Sequence, residues 1–385
     1  MKDSALKIVR FLILIFVLSV LAGCQTATGD AENDFAAPAA VVAAGDDVPI
    51  KREVLGNGPV KVEFLLPASG DARLREIAKE MRNGATLAAR DLGADQITVT
   101  FDAIAKAPQS SASKSDPTQG SNFLVLLGEE SALSTYDAIT VPSVALVAND
   151  VKRPAGIFAF TSSESDSLIA GINHAVGEKP GPVALIVPPD FSISNIDRIQ
   201  AQLGADNPLN VINYTADETA AQVAKRAIDA EKSTRVFAFA GNDQKIEFLV
   251  KSIHALKVAD KDFRIVGNIS WGAGLLGASV MEGAIVATID TSASQLIQQA
   301  YVEKFQQEPT INALYGYDVI GVASGILRAK GAQGLTHAAL NDPIGFRGVT
   351  GAFRFATNGA VERLYAIQKI SAGKFVQISQ AGAGF

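Results

Sequence analysis

The sequence predicts an α/β protein built as two doubly wound parallel-sheet lobes. Three observations carry this. From Val60 onward, short unbroken apolar runs alternate with longer amphipathic segments, the pattern of buried parallel strands covered by helices on both faces. The alternation restarts near Ser165, so a single sheet does not account for it. Once the leader described below is removed, about 360 residues remain, too many for one ordinary core.

The elements follow in order. Val60 to Leu66 reads as a strand, closed by Pro67, Ser69 and Gly70. Leu74, Ile77, Ala78, Met81, Ala85, Ala88 and Leu92 then recur at helical spacing, and Gly93 supplies the stop. Strands are expected at Gln96 to Phe101, Phe123 to Gly128, Ser143 to Ala148 and Ile157 to Phe160. In the second set, helices at Ser165 to Val176, Ile193 to Leu203, Thr219 to Ala230 and Lys245 to Leu256 separate four strands. Those strands are Val183 to Val187, Val211 to Tyr214, Val236 to Ala240 and Phe263 to Val266. A helical pair, Ser294 to Gln306 and Ile311 to Arg328, comes next. Ala352 to Ile378 differs in character, with short strands and hairpin turns at Asn358-Gly359 and Ala372-Gly373.

Ahead of the folded part, Lys2, Lys7 and Arg10 precede the apolar stretch Phe11 to Val20, the layout of a secretory signal peptide. That stretch is too short for a mature span, which needs about 20 residues. Leu21-Ala22-Gly23-Cys24 resembles the bacterial lipobox, and the resemblance implies that residues 1–23 are removed and Cys24 is acylated as a membrane anchor. Gln25, in place of the Asp that marks inner-membrane retention in enteric bacteria, favours the outer membrane, facing the periplasm. Residues 24–55 read as a tether, averaging roughly 30 Å end to end as a coil and about 100 Å stretched.

Composition removes several classes. The net charge of −6 leaves no basic stripe for nucleic acid. Cys24 is the one cysteine, so disulfides and thiolate metal sites are excluded. His174, His254 and His337 lie on separate expected helices, without metal-ligand spacing. Gly272-Ala273-Gly274-Leu275-Leu276-Gly277 matches a dinucleotide fingerprint, but Asn268-Ile269-Ser270-Trp271 separates it from its strand and Gly283 breaks the following helix. Gly277-Ala278-Ser279-Val280-Met281 misses the nucleophile elbow at its last position. No enzyme, cofactor or metal is expected.

Several phrases resemble the type-1 periplasmic binding proteins of the leucine/isoleucine/valine kind. Val62-Glu63-Phe64-Leu65-Leu66-Pro67-Ala68-Ser69-Gly70 is similar to the opening strand and loop of that family, and Asn83-Gly84-Ala85 to the small residues of its first helix. Tyr317-Asp318-Val319, the run Phe346 to Phe355 and the Asn358-Gly359 turn resemble its later segments. Asp91-Leu92-Gly93, and Asn149-Asp150 before Gly156-Ile157-Phe158, resemble the penicillin-binding protein activator lipoproteins within it. The resemblance implies two lobes joined by three crossovers, near Phe160 to Ser163, Thr288 to Asp290 and Val349 to Ala352. The first lobe then takes residues 56–162 and 289–349, and the second takes 163–288 and 350–385.

It also implies a cleft, with Ser69, Ser131, Asn149, Asp150, Phe191 and Trp271 as ligand candidates. Ser, Asn and Asp also serve as caps and turns, Phe191 is equally a core residue, and Trp271 either lines the cleft or plugs a lobe. Glu129 and Glu130 oppose a substrate carboxylate at the first loop, so a cationic or neutral ligand, or none, fits better than a free amino acid. Two functions follow. One is a lipoprotein regulator that contacts a peptidoglycan synthase, a penicillin-binding protein. The alternative is the substrate-binding lipoprotein of an ABC transporter, whose partners are a permease and a small amino-acid-like solute.

Overall fold

The structure, a computed structural model, describes residues 52–67, 72–93, 95–104, 120–134, 136, 139–257 and 262–385. The leader, Cys24, the tether as far as Lys51, and Ser69 lie outside the described residues.

Six strands make the first sheet, in the order β1-β3-β2-β4-β5-β6. They are β1 (Glu53–Leu55), β2 (Val60–Pro67), β3 (Ile97–Ile104), β4 (Phe123–Leu126), β5 (Ser143–Ala145) and β6 (Ile157–Ala159). All pairs are parallel except β1 with β3. The last three residues assigned to the tether therefore form an antiparallel edge strand, too short to show a pattern in sequence. Helix α1 (Ala72–Leu92) joins β2 to β3, and the short α2 (Glu130–Leu133) follows β4.

The chain then builds a seven-stranded sheet, β16-β15-β11-β10-β9-β7-β8. Its parallel part alternates α3 (Glu164–Glu178), β7 (Val183–Val187), α4 (Ile193–Gln202), β8 (Leu209–Asn213), α5 (Ala220–Ala230), β9 (Val236–Phe239), α6 (Lys245–Leu256) and β10 (Arg264–Val266). The five-residue α7 (Ala273–Gly277) leads to β11 (Ile285–Ile289). Local chemistry starts these helices where they start. Ser163 with Asp166, and Thr219 with Gln222, form reciprocal capping boxes that satisfy the first free N–H groups of α3 and α5. Every residue of β7 and of β11 is buried, as expected for strands covered on both faces.

From β11 the chain enters α8 (Gln295–Phe305) and α9 (Ile311–Lys330), then α10 (His337–Leu340). Helices α1 and α9 approach closely enough that a Cβ on Gly84 would lie 1.8 Å from the Ala313 carbonyl oxygen. A Cβ on Gly316 would lie 2.0 Å from the Met81 carbonyl oxygen. A small third sheet follows, of β12 (Phe346–Gly348), β13 (Gly351–Phe355) and β14 (Val361–Arg363). Antiparallel β15 (Tyr365–Ser371) and β16 (Lys374–Ser379) complete the second sheet.

Core membership defines the lobes. Phe353, Phe355 and Val361 of the third sheet share one apolar cluster with Phe64, Phe101, Phe160 and Tyr317. Two further clusters cover the second sheet, one around Phe237, Phe239 and Trp271, the other around Leu185, Val187 and Ile367. The third sheet thus belongs with the first lobe, and the final return to the second sheet comes at Leu364 rather than at Val349 to Ala352. The reason is steric: Phe353 packs edge-on to Phe160 at 5.2 Å, and Phe355 lies 5.3 Å from Phe158.

A buried polar network sits where the crossings meet. Asp318 of α9 accepts from the backbone N–H groups of Val349 at 2.7 Å and Thr350 at 2.9 Å, and from the Thr350 hydroxyl. Arg363 donates from Nη1 to that hydroxyl at 3.0 Å and from Nη2 to the Phe160 carbonyl. Its guanidinium lies 4.6, 4.9 and 5.1 Å from the ring centres of Phe353, Tyr315 and Phe160.

Candidate functional site

The C-terminal ends of parallel strands are where open α/β sheets place their ligand loops. In the first lobe these loops follow β4 (residues 127–131) and β5 (residues 146–153); in the second they follow β7, β9 and β10. The two sets approach each other. Asn149 Nδ2 donates across to Asp166 of α3 at 3.2 Å, and Asp150 acts electrostatically on the Glu164 carboxyl.

Glu164, on the first turn of α3, is tied to the second set by three hydrogen bonds. It accepts from the Gly241 N–H, from Asn268 Nδ2 at 3.3 Å and from the Ser270 hydroxyl at 3.3 Å. Asn268 is fully buried and also donates to the carbonyls of Phe239 at 3.1 Å and Gly241 at 2.9 Å. The start of α3 is thereby fixed to the loops after β9 and β10. Burial raises the Glu164 pKa above the usual carboxylate value. Hydrogen bonds from Gly241 and Ser270 oppose that shift, and Asp150 and Asp190 add to it. Nearby, the Tyr214 hydroxyl donates to Asp243 at 2.7 Å; burial first, then Asp243, raises this phenol. The edge is acidic, with Asp150, Glu164, Asp190 and Asp243 close enough to feel one another through Glu164 and Tyr214.

Three cations close by are engaged. Arg198 of α4 pairs with Asp166, and Lys245 donates to the Thr215 carbonyl at 2.6 Å. Arg153 donates to the carbonyls of Val151, Ile157 and Gly359. Burial chiefly, and then Arg198, lower its pKa. Among the described residues no cluster of His, Cys, Asp or Glu has the arrangement of a metal site.

The candidates read from sequence divide. Asn149 and Asp150 stand at the cleft edge, but Asn149 is committed: it brackets Val361, donating to its carbonyl and accepting from its N–H, both at 2.8 Å. Ser131 is exposed within α2 beside the exposed Glu129 and Glu130, and the Glu129 cap makes no side-chain bond. Phe191 packs partly buried against the cluster of Leu185 and Val187. Trp271 does not line the cleft; at 1% exposure it plugs the second lobe, its ring so close to Gly267 that a Cβ there would come within 2.6 Å. Its fluorescence should be blue-shifted, shielded from iodide, and indifferent to any cleft ligand; red-shifted, quenchable emission would overturn that placement. Glu164 and Asn268 went unread in sequence. The signal available for Glu164 was the Ser163-x-x-Asp166 box that puts it on the first turn of a helix, whereas nothing local marks Asn268.

No protein family model matches the chain, and no curated protein matches it. Solved structures do. A putative branched-chain amino acid ABC transporter protein from Rhodospirillum rubrum superposes with a TM-score of 0.62 at 16% identity, covering 83% of this chain and 99% of that one. An ABC-type branched-chain amino acid transporter protein from Rhodopseudomonas palustris gives 0.58 at 13% identity, covering 83% and 95%. A solute-binding protein of an ABC transporter from Rhodopseudomonas palustris, in complex with 3,4-dihydroxybenzoic acid, gives 0.51 at 16% identity, covering 85% and 97%. The chain has the type-1 periplasmic binding protein fold. No helix among the described residues is long and apolar enough to cross a membrane.

Proposed function

We propose that this chain is a non-enzymatic solute receptor that delivers its ligand to an ABC permease, and that the solute presents an ammonium group or a neutral donor rather than a free carboxylate. The carrying observation is the acidic edge formed by Asp150, Asp190 and the partly buried Glu164, whose carboxyl burial raises first and these two aspartates raise further. Such an edge attracts an ammonium group and repels a carboxylate. The fold supports the receptor role by analogy with the solute-binding structures that share it. In this reading Cys24 is the lipid anchor, the folded part faces the periplasm, and closure over the solute is a hinge motion about the crossings.

A second reading, a lipoprotein that regulates a peptidoglycan synthase from the outer membrane, draws on one observation: Asn149 of the first lobe donates directly to Asp166 of the second, which Arg198 of α4 also holds.

A thermal-shift panel of diamines, branched-chain amino acids, aromatic acids and cell-wall fragments separates the two. A ligand at about a hundred times its dissociation constant adds about 2.7 kcal/mol, seen as a rise of a few degrees. The expected result is a shift with amines that Glu164→Gln removes. A raised folded-state pKa means the ligand-free fold holds its proton more tightly than the unfolded chain. Ligand-free stability therefore falls as pH rises above the ordinary glutamate range, while amine affinity grows over the same window as the carboxylate forms. A shift with leucine alone would discard the amine class, and a flat panel would leave the regulator reading.

A further inference from the structure

Residues 380–385 follow β16, the edge strand of the second sheet, yet they do not stay with that sheet. Gly382 lies against Leu364, where a Cβ would come within 2.9 Å of Leu364 Cδ1. Three residues further on, the Phe385 ring receives the Arg354 guanidinium at 4.4 Å from its centre. Arg354 belongs to β13, in the third sheet, whose Phe353 and Phe355 are part of the first-lobe core. Glu362 on the neighbouring strand holds Arg354 from its Nε at 2.6 Å, so the guanidinium presents a fixed face.

We infer that residues 380–385 are a strap, a fourth link between the lobes, with Phe385 as its clasp on Arg354 and Gly382 as the point where it passes the third crossing. The three crossings, at 160–163, after β11 and at Leu364, leave a hinge free to bend. A fourth connection, from the end of β16, where Ser379 lies opposite Ile367 beside the third crossing, to the third sheet restrains that bending whenever the clasp is engaged. The small residues Ala381, Gly382, Ala383 and Gly384 suit this role, since they let the segment lie flat against Leu364 and detach at little steric cost. Phe385 remains 43% exposed, which fits a contact that opens and closes rather than a core residue. The inference rests on the two-lobed fold and is independent of which ligand, if any, the cleft takes.

The test is an inter-lobe distance measured on single molecules of the full chain without ligand. Fluorophores are carried on non-canonical residues at the exposed positions Lys152 and Asn242, leaving Cys24 untouched. An exposed cation–π clasp corresponds to about a two- to fivefold change in population, so Phe385→Ala should enlarge the longer-distance population by that factor. Phe385→Tyr, which keeps the ring, should leave the distribution as it was. Arg354→Leu, which removes the cation that the ring receives, should reproduce the Phe385→Ala result. Distributions that superimpose for Phe385→Ala, Arg354→Leu and the unaltered chain would overturn the strap. Because no ligand is present, this result stands whether the amine panel succeeds or fails.

Discussion

Replacing Arg363 by leucine should cost about 3–5 kcal/mol, the usual consequence of removing one member of a buried charged network. The unfolding midpoint should drop on the order of ten degrees. Arg363 is 8% exposed, and its two terminal nitrogens serve different parts of the chain, the Phe160 carbonyl and the Thr350 hydroxyl. Leucine fills much of the volume between Phe160, Tyr315 and Phe353 but supplies neither donor. The Phe160 carbonyl then loses this donor inside the core, and Asp318, whose pKa burial raises, keeps its three hydrogen bonds while losing the nearby positive charge that partly offsets that rise. Denaturant unfolding of Arg363→Leu beside Glu362→Ala checks the attribution. Glu362 pairs with Arg354 at the surface, where such a pair is worth about 0–1 kcal/mol, so that variant should stay near the parent. Equal losses in the two would show that the region is merely fragile, and the buried network would not be its source.

Most parallel strands of both sheets were legible because a parallel strand covered on both faces is apolar, as Val183–Val187 is throughout. Helix starts were legible where side chains cap them. Core membership was not. The family resemblance put the last crossing at Val349 to Ala352, and no local pattern corrects it. Nothing in a run such as Ala352-Phe353-Arg354-Phe355 states which lobe its aromatic face will join. The contact with Phe160, nearly two hundred residues earlier, decides that. The same limit applies to the cleft. Asn149 looked available from its loop position, but its partners Val361 and Asp166 are distant in sequence, and Glu164 gains its importance from Gly241, Asn268 and Ser270. Acidity at the first loop was readable, because Glu129 and Glu130 are adjacent. Acidity at the second is assembled by folding.

Gly316→Ala and Gly325→Ala, on the same helix, should change stability in opposite directions. On helical propensity alone, each gains about 0.5–1 kcal/mol, since alanine loses less backbone freedom on folding than glycine. At Gly325 nothing lies within 4 Å of the new Cβ, so the gain should survive. At Gly316 the Cβ would sit 2.0 Å from the Met81 carbonyl oxygen, and that atom is backbone of α1, not a side chain that can turn away. The helices must separate, at the cost of about 1–3 kcal/mol usual for overpacking, and Gly316→Val should exceed it. Gly84 meets the Ala313 carbonyl in the same crossing, so a single displacement of α1 from α9 relieves both clashes. The double variant Gly84→Ala with Gly316→Ala should therefore lose clearly less than the sum of its parts, by an interaction on the order of 0.5–3 kcal/mol. Strict additivity would mean that each glycine is accommodated by its own local adjustment. The close approach of these helices would then not be one shared contact.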